Sequence, residues 1–272
     1  SLKSNHKANN TVFYNKINFN NNIGSYEYEH NPSLDDEVFK SNFILSSDIF
    51  FNLNQNFTPR VKLIHNSNIL PDNIINEDSK AITFNYHNQF ADNRFYGIDL
   101  EDDSSRVVYG LENIVNMYEK NLYFNINQSY DLSKNNNYAK KINQESNFSD
   151  IAVEAKTNFN NIFFKIDSRL SNSELEKKEM NYYFEYSGKF NLKLNYNETD
   201  SRAFESLSTD TQFLGASIEK KLNDNVLLSL SSDLDLKNNY SPLYQTLKLS
   251  LFDECSRLDI SYIDERFNDN YN

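Results

Sequence analysis

Six charged residues alternate with apolar neighbours in three segments of the chain: Lys165, Asp167, Arg169, Lys193, Asp233 and Asp235. Because successive side chains of a β-strand point to opposite faces, each group of charges would lie on one face of its strand. Several charges on one face are favoured on a hydrated surface, because burying a charge in a packed interior costs free energy. The sequence therefore predicts a polar face that contacts water and polar solutes.

The chain offers few groups for catalysis or for holding a metal. It has four scattered His and one Cys, so a zinc site has almost no ligands to draw on. The acidic run from Asp99 to Asp103 lacks the glycine and the glutamate that an EF-hand calcium loop needs, and we expect it to be solvated. Motifs such as GxSxG, HExxH and a Gly-rich phosphate loop are missing. We expect no enzyme activity, no metal and no cofactor.

Cys255 follows Asp253 and Glu254 in a polar, turn-like stretch between two alternating segments. A lone cysteine is often an inert buried thiol on a strand. In an oxidising compartment it would instead suggest a partner cysteine elsewhere. The residues alone leave both interpretations open.

Strict alternation of apolar and polar residues dominates the chain. From Val226 to Leu236, leucines such as Leu228, Leu230 and Leu234 share one face, and serines and aspartates occupy most of the other. We count about fifteen such segments of about 8–12 residues, which is the period of half-exposed strands. The connections between these segments are roughly alternately short polar turns and long polar loops. This order predicts an all-β, antiparallel, up-and-down arrangement.

Two architectures fit that pattern, a transmembrane β-barrel and a soluble β-sandwich or solenoid. The segment length favours the barrel, because spanning strands need about 9–11 residues and soluble strands average about 5–6. We expect an apolar set to face lipid and the six charged residues to face the lumen. The apolar set is Leu192, Leu194, Leu228, Leu230, Leu234, Phe164 and Ile166. A net charge of −12 argues against sequence-independent binding to nucleic acid, because that binding needs clustered positive charges to neutralise phosphates.

Several short motifs resemble a known family in their order and spacing. They are residues 93–112 (NRFYGIDLEDDSSRVVYGLE), the strand end 126–130 (INQSY), residues 147–150 (NFSD), and residues 252–255 (FDEC) with 265–267 (ERF) beyond them. Together they resemble the LPS-assembly outer-membrane family LptD, also called the organic solvent tolerance family. The similarity is to the C-terminal part of the family's barrel, over residues 85–265.

The resemblance implies that residues 1–272 are a partial outer-membrane β-barrel domain without the family's N-terminal periplasmic domain. It implies transport of lipopolysaccharide to the outer leaflet of a Gram-negative outer membrane, through a polar lumen and with lateral release between strands. The implied partners are lipopolysaccharide, an LptE-like lipoprotein plug, periplasmic LPS-bridge proteins and outer-membrane lipid. A passive porin or a soluble secreted β-rich adhesin would show the same alternation.

The resemblance also assigns a role to Cys255. In the family, cysteines near the C-terminal end pair with cysteines near the N-terminal domain, and Cys255 matches that position. Glu254 and Ser256 flank it here, where the family often has two adjacent cysteines. The resemblance therefore implies one disulfide from this turn.

Overall fold

The structure is a computed structural model that describes residues 2–8, 10–26, 36–53, 56–69, 80–82, 84–96, 102–117, 120–133, 136–144, 146–237 and 241–265. Within these residues, fourteen strands form one antiparallel sheet and two more form a small hairpin. The all-β, antiparallel prediction is confirmed.

The strands of the first half are β1 (Leu2–Ala8), β2 (Thr11–Tyr26), β3 (Asp36–Phe51), β4 (Phe57–Ile69), β5 (Lys80–Ala81), β6 (Phe95–Tyr96), β7 (Ser105–Met117) and β8 (Lys120–Ser133). Those of the second half are β9 (Ile151–Phe159), β10 (Ile162–Leu170), β11 (Lys177–Ser187), β12 (Asn191–Thr199), β13 (Thr211–Asn223), β14 (Val226–Asp235), β15 (Ser241–Phe252) and β16 (Arg257–Glu265). The helices among the described residues are α1 (Tyr86–Gln89), α2 (Asn136–Lys141) and a 3-10 helix (Ser201–Ala203).

Each strand of the large sheet pairs with its neighbour in the chain, except that the β5–β6 hairpin lies in the connection from β4 to β7. Most of these strands are nine residues or longer, which is the length of bilayer-spanning strands. Turns of two to four residues join β9 to β10, β11 to β12, β13 to β14 and β15 to β16. Longer connections separate the pairs. This is the up-and-down order that the sequence predicts.

Residues 82–87 contradict the alternation. Ile82, Phe84 and Tyr86 alternate with polar residues as a strand would, but the chain there forms a loop and then enters α1. Asn85 starts this helix, because its side-chain oxygen accepts a hydrogen bond from the Asn88 backbone N–H at 2.8 Å. Phe84 and Tyr86 are buried in clusters that include strand residues. Burial above a sheet needs the same apolar residues as burial within one, so alternation alone does not distinguish this segment from a strand.

The polar stretch from Ser171 to Tyr182 is a loop only in its first half. A turn occupies residues 171–176, and β11 begins at Lys177. From there the strand pairs with β10, with Met180 opposite Ser168. Strand pairing overrides the helical or loop propensity of the charged residues here.

The chain divides into two compact units. The first comprises Ser1–Asn113, Asn125–Ala152 and Asn172–Glu174, and the second comprises Ile114–Phe124, Val153–Ser171 and Leu175–Asn272. The first has two buried apolar clusters. One contains Ile64, Tyr86, Phe90 and Val108, and the other contains Phe84, Phe95, Tyr138, Ile142 and Ala152.

The second unit concentrates its apolar residues on one face of the sheet. The register aligns one row across β11 to β16: Tyr186, Leu192, Ile218, Leu230, Leu247 and Tyr262. Members of this row are widely exposed, with Leu230 at 45% and Tyr262 at 68%. A continuous exposed apolar row needs an apolar surrounding or a partner.

Candidate functional site

The register of the second unit places all six predicted lumen residues on the same face. Lys165 is opposite Tyr183, and pairing continues through Asn195 and Gly215 to Asp233. Asp167 and Asp235 belong to the adjacent row, and Lys193 is opposite Glu185. Directly opposed residues of an antiparallel pair share a face. This face is called the charged face below; that it points into a lumen stays a prediction.

Lys165 lies at the centre of an ion-pair network on the charged face. Its Nζ is 2.8 Å from a carboxylate oxygen of Asp167 and 3.2 Å from one of Glu154. Lys156 approaches the other oxygen of Glu154 at 2.9 Å. Glu154 is only 1% exposed, so two lysines neutralise a buried carboxylate. The network fixes these side chains in place on the sheet.

Arg169 and Asp235 are buried rather than open to solvent. Arg169 donates from Nη1 to the Ala203 carbonyl at 2.9 Å, lies 3.5 Å from Glu179, and stacks near the Phe204 ring. The connection from β12 to β13 therefore covers it. Asp235 accepts a hydrogen bond from the Lys237 backbone N–H at 2.9 Å. Both side chains help to hold a connection at the end of a strand.

Lys193 and Asp233 are the exposed members of the set. Within the described residues, neither takes part in an ion pair or a side-chain hydrogen bond. Both side chains can therefore bind a polar solute. The other four members of the set already interact with groups of the protein: Lys165, Asp167, Arg169 and Asp235.

In the first unit, the described part of the connection from β4 to β7 folds onto one face of the sheet. Lys62 of β4 donates to the Phe90 carbonyl at 2.6 Å and pairs with Asp92 at 2.8 Å, and Lys16 of β2 pairs with the other oxygen of Asp92 at 2.6 Å. Burial raises the pKa of the Asp92 carboxyl, but the two lysines outweigh it and hold this pKa at about 2. The loop is thus tied to two strands by charge.

A buried four-residue ion cluster ties the same connection to β7 and β8. Arg94 holds Asp102 by two hydrogen bonds of 2.7 and 3.1 Å, and Arg106 reaches the same carboxylate at 2.5 Å. Asp131 of β8 lies 3.6 Å from Arg94. All four side chains are at most 1% exposed. Two positive and two negative charges balance within the cluster, as burial requires.

The expectation that the 99–103 run is solvated is wrong for Asp102. Burial raises the pKa of Asp102, yet the charges of Arg106 and Arg94 outweigh it and keep the carboxyl ionised. Its neighbour Asp103 is exposed as expected. Residues 99–101 lie outside the described residues. The partner arginines, eight positions before Asp102 and four after it, are the reason for the burial.

The connection from β8 to β9 completes the surroundings of the cluster. Gln144 donates to Asp131 at 3.0 Å, and Tyr138 of α2 stacks under the Arg94 guanidinium at 4.2 Å. Sequence reasoning missed this convergence. The available signal was the pair of arginines in the 93–112 motif, since buried arginine requires carboxylate partners.

Cys255 is exposed and unpaired, in the turn at residues 253–256 between β15 and β16. The Asp253 backbone N–H donates to the Ser256 carbonyl at 2.9 Å and closes this turn. In an antiparallel meander every second connection lies at the same end, so the Cys255 turn shares its end with the turns after β9, β11 and β13. Cys255 therefore lies in a turn, as its polar surroundings in the sequence indicate, and its pairing with another cysteine stays a prediction.

Metal ligands do not gather at any of these sites. No group of three or more His, Cys, Asp or Glu side chains in the described ranges is arranged to hold an ion.

Comparison with protein families decides the assignment. The family described as LPS transport system D, LptD, matches residues 5–226, which include the ion cluster and most of the charged face. The chain belongs to the LptD family. LptD proteins are outer-membrane components of lipopolysaccharide transport. A search of the curated proteins gives no match. No helix in the described part of this LptD chain is long and apolar enough to cross a membrane.

Proposed function

We propose that this chain forms part of the wall of an outer-membrane barrel through which lipopolysaccharide reaches the outer leaflet. The charged face of β10 to β16 would line the polar path, and the apolar row on the opposite face would meet lipid. No bond is made or broken in this proposal. The single observation that carries it is the register, which separates the two sets of side chains completely within an LptD chain.

The two faces fit the two parts of an amphipathic cargo. Sugars can exchange hydrogen bonds with water for bonds to Asn, Ser, Asp and Lys side chains along the charged face. Acyl chains gain nothing from that surface and are stabilised by about 0.8 kcal/mol for each buried CH₂ group in the bilayer. We therefore propose that the tails leave sideways between strands while the sugars stay inside the lumen.

The same assignment proposes the partners. A lipoprotein plug of the LptE kind would occupy part of the lumen, and periplasmic LPS-bridge proteins would deliver the cargo. Cys255 would form a disulfide with a cysteine of the periplasmic domain. Its place at the end with the short turns supports this, because the periplasmic connections of such barrels are the short ones.

Site-specific photocrosslinking in living cells tests the proposal. A photoreactive phenylalanine analogue replaces Lys193 or Asp233 on the charged face, and Leu194 or Leu230 on the apolar face. We expect crosslinks to lipopolysaccharide from the two charged-face positions, and crosslinks to membrane lipid from the two apolar-face positions.

Adjacent residues supply the matched control, because Lys193 and Leu194 differ by one position and by face. Depletion of the periplasmic transport machinery should abolish the charged-face crosslinks and leave the lipid crosslinks unchanged. Crosslinks to lipopolysaccharide that persist without delivery, or that are equal on both faces, would contradict transport along the charged face.

A further inference from the structure

One row of side chains crosses the charged face of the second unit from β11 to β15. Its members, which we call the saccharide row, are Tyr183, Asn195, Gly215, Asp233 and Tyr244. Each is directly opposite the next, so all five share a face. At the usual strand spacing the row is about 19 Å long from one tyrosine to the other.

Gly215 occupies the centre of the row, and its missing side chain determines the local geometry. A Cβ atom there would lie 2.8 Å from Oδ1 of Asp233 and 3.1 Å from Nδ2 of Asn195. The backbone of Gly215 is outside the left-handed region, so conformation does not demand a glycine. The absence of a side chain lets a carboxylate and an amide lean together over the strand.

The polar groups of this row are available to a ligand. Asn195 and Asp233 are exposed. Among the described residues, the side chains of Asn195, Asp233 and Tyr244 have no hydrogen bond or ion pair. A carboxylate accepts two or more hydrogen bonds, and an amide both donates and accepts. Side by side, they match neighbouring hydroxyl groups of a sugar ring.

Tyrosines close both ends of the row. Tyr183 is held in place, since its hydroxyl donates to Glu185 at 2.8 Å and its ring forms a T-shaped contact with the Phe163 ring, with the ring centroids 5.8 Å apart. Tyr244 lies next to Asp233 on the other side. A tyrosine ring offers an apolar face with a polar tip. The C–H face of a pyranose ring is an apolar surface that stacks on such a ring.

We infer that the saccharide row binds a short stretch of the carbohydrate part of the cargo. Asn195 and Asp233 form hydrogen bonds with its hydroxyl groups, and the two tyrosines stack on its sugar rings. This rests on the proposed function and adds the chemistry of the ligand. The ligand class is a neutral oligosaccharide, because the Asp233 carboxylate repels phosphate. The length of the row fits several sugar units rather than one.

Binding to the full-length protein in detergent tests this inference. The probe is a neutral oligosaccharide from the outer part of the lipopolysaccharide sugar chain, free of phosphate and carboxylate groups, and its affinity is measured by titration calorimetry. We expect Gly215→Ala to weaken binding at least fivefold, because the new methyl group displaces the Asp233 carboxylate. Asn195→Ala and Asp233→Ala should each weaken it at least fivefold as well.

Ser217→Ala is the matched control, since Ser217 is on the same face of β13 in the next row. The affinity of this variant should be within twofold of that of the native protein. Heat-modifiable electrophoretic mobility reports that each variant is folded. Asn195→Ala removes only exposed atoms, so it stands in if Gly215→Ala fails to fold. Native affinity in Asn195→Ala and Asp233→Ala, or no binding by the native protein, overturns the inference.

The test separates this inference from the proposed function. Photocrosslinking of lipopolysaccharide from Lys193 does not depend on the saccharide row. If the Lys193 crosslinks are retained and the variants bind the oligosaccharide as tightly as the native protein, only the assignment of the saccharide row is overturned. The opposite result would be a loss of the Lys193 crosslinks while the native protein still binds the oligosaccharide and the variants bind it more weakly. That result would overturn transport along this face and leave the saccharide row standing.

Discussion

Arg94 and Asp102 form a two-point ion pair in which both side chains are at most 1% exposed. A buried pair of this kind costs free energy to desolvate and is tolerated only where its remaining groups are also satisfied. Ser104 donates to Asp102 at 2.8 Å, and Arg106 supplies the second positive charge. The pair therefore ties residues of one loop to the start of β7.

Removing the carboxylate should unfold this region. Asp102→Ala leaves two buried arginines with only Asp131 for charge balance, and we expect a loss of about 3–5 kcal/mol in the free energy of unfolding. The measurement is urea denaturation of the refolded protein in detergent. Asp103→Ala is the control, because the exposed neighbour should change stability by less than about 0.5 kcal/mol. Equal effects at both positions would contradict the buried cluster.

The stability that Asp92 supplies should depend on pH. Its pKa is about 2 in the folded chain against an ordinary 3.8, because Lys62 and Lys16 outweigh the effect of burial. A lowered folded pKa means that the stabilisation is complete above the unfolded pKa and is lost as the pH falls through the folded one. The window is thus from about pH 4 down to about pH 2.

Comparison with Asp92→Asn measures this contribution. At neutral pH the native protein should be more stable than the variant by about 2 kcal/mol, which is the free-energy equivalent of the pKa difference. The two stability curves should converge as the pH approaches 2. A constant difference across that range would mean that the carboxylate charge is not what holds the loop.

Gly110 should tolerate no side chain. A Cβ there would lie 2.8 Å from the Ile126 backbone oxygen and 2.8 Å from the Asn127 Cβ, with the Phe90 ring at 3.1 Å. Since backbone atoms cannot move aside cheaply, Gly110→Ala should cost about 1–3 kcal/mol in unfolding experiments. Gly215→Ala is the matched control, because it meets only the tips of flexible side chains. A smaller loss at Gly110 than at Gly215 would contradict this packing.

Much of the fold was predictable from alternation alone. Leu228 and Leu230 alternate with Ser229 and Ser231 because one face of β14 is apolar, and the register then follows from matching faces across strands. The same logic placed Lys165 and Asp233 on one face although they lie four strands apart. Local pattern is sufficient wherever neighbouring strands in the sheet are also neighbours in the chain.

The buried polar groups were not predictable, because their environment comes from distant segments. Asp102 looks like part of a solvated acidic run until Arg94 and Arg106 are seen to surround it. Arg169 looks like a lumen charge, but the connection after β12 covers it. Long connections fold back onto the sheet by tertiary contacts, and periodicity carries no information about those contacts.

Cys255 provides a test at the other end of the strands. In this chain the thiol is exposed at a turn, so a maleimide reagent should label it readily under native conditions. In the full-length protein we expect it to be oxidised and unreactive until a reductant is added. Non-reducing electrophoresis should show a mobility difference between the native protein and Cys255→Ser. Identical mobility would contradict the proposed disulfide.

The central claim is that the two faces of this sheet meet different media, and a nitroxide scan along β14 tests it most directly. Spin labels at successive positions from 228 to 233 in the reconstituted protein report their collision rates with oxygen, which enters lipid, and with a nickel chelate, which stays in water. We predict a period of two, with oxygen favoured at Leu228, Leu230 and even the polar Ser232, and nickel favoured at Ser229, Ser231 and Asp233. Accessibility without that alternation, or with the two sets reversed, would contradict the account.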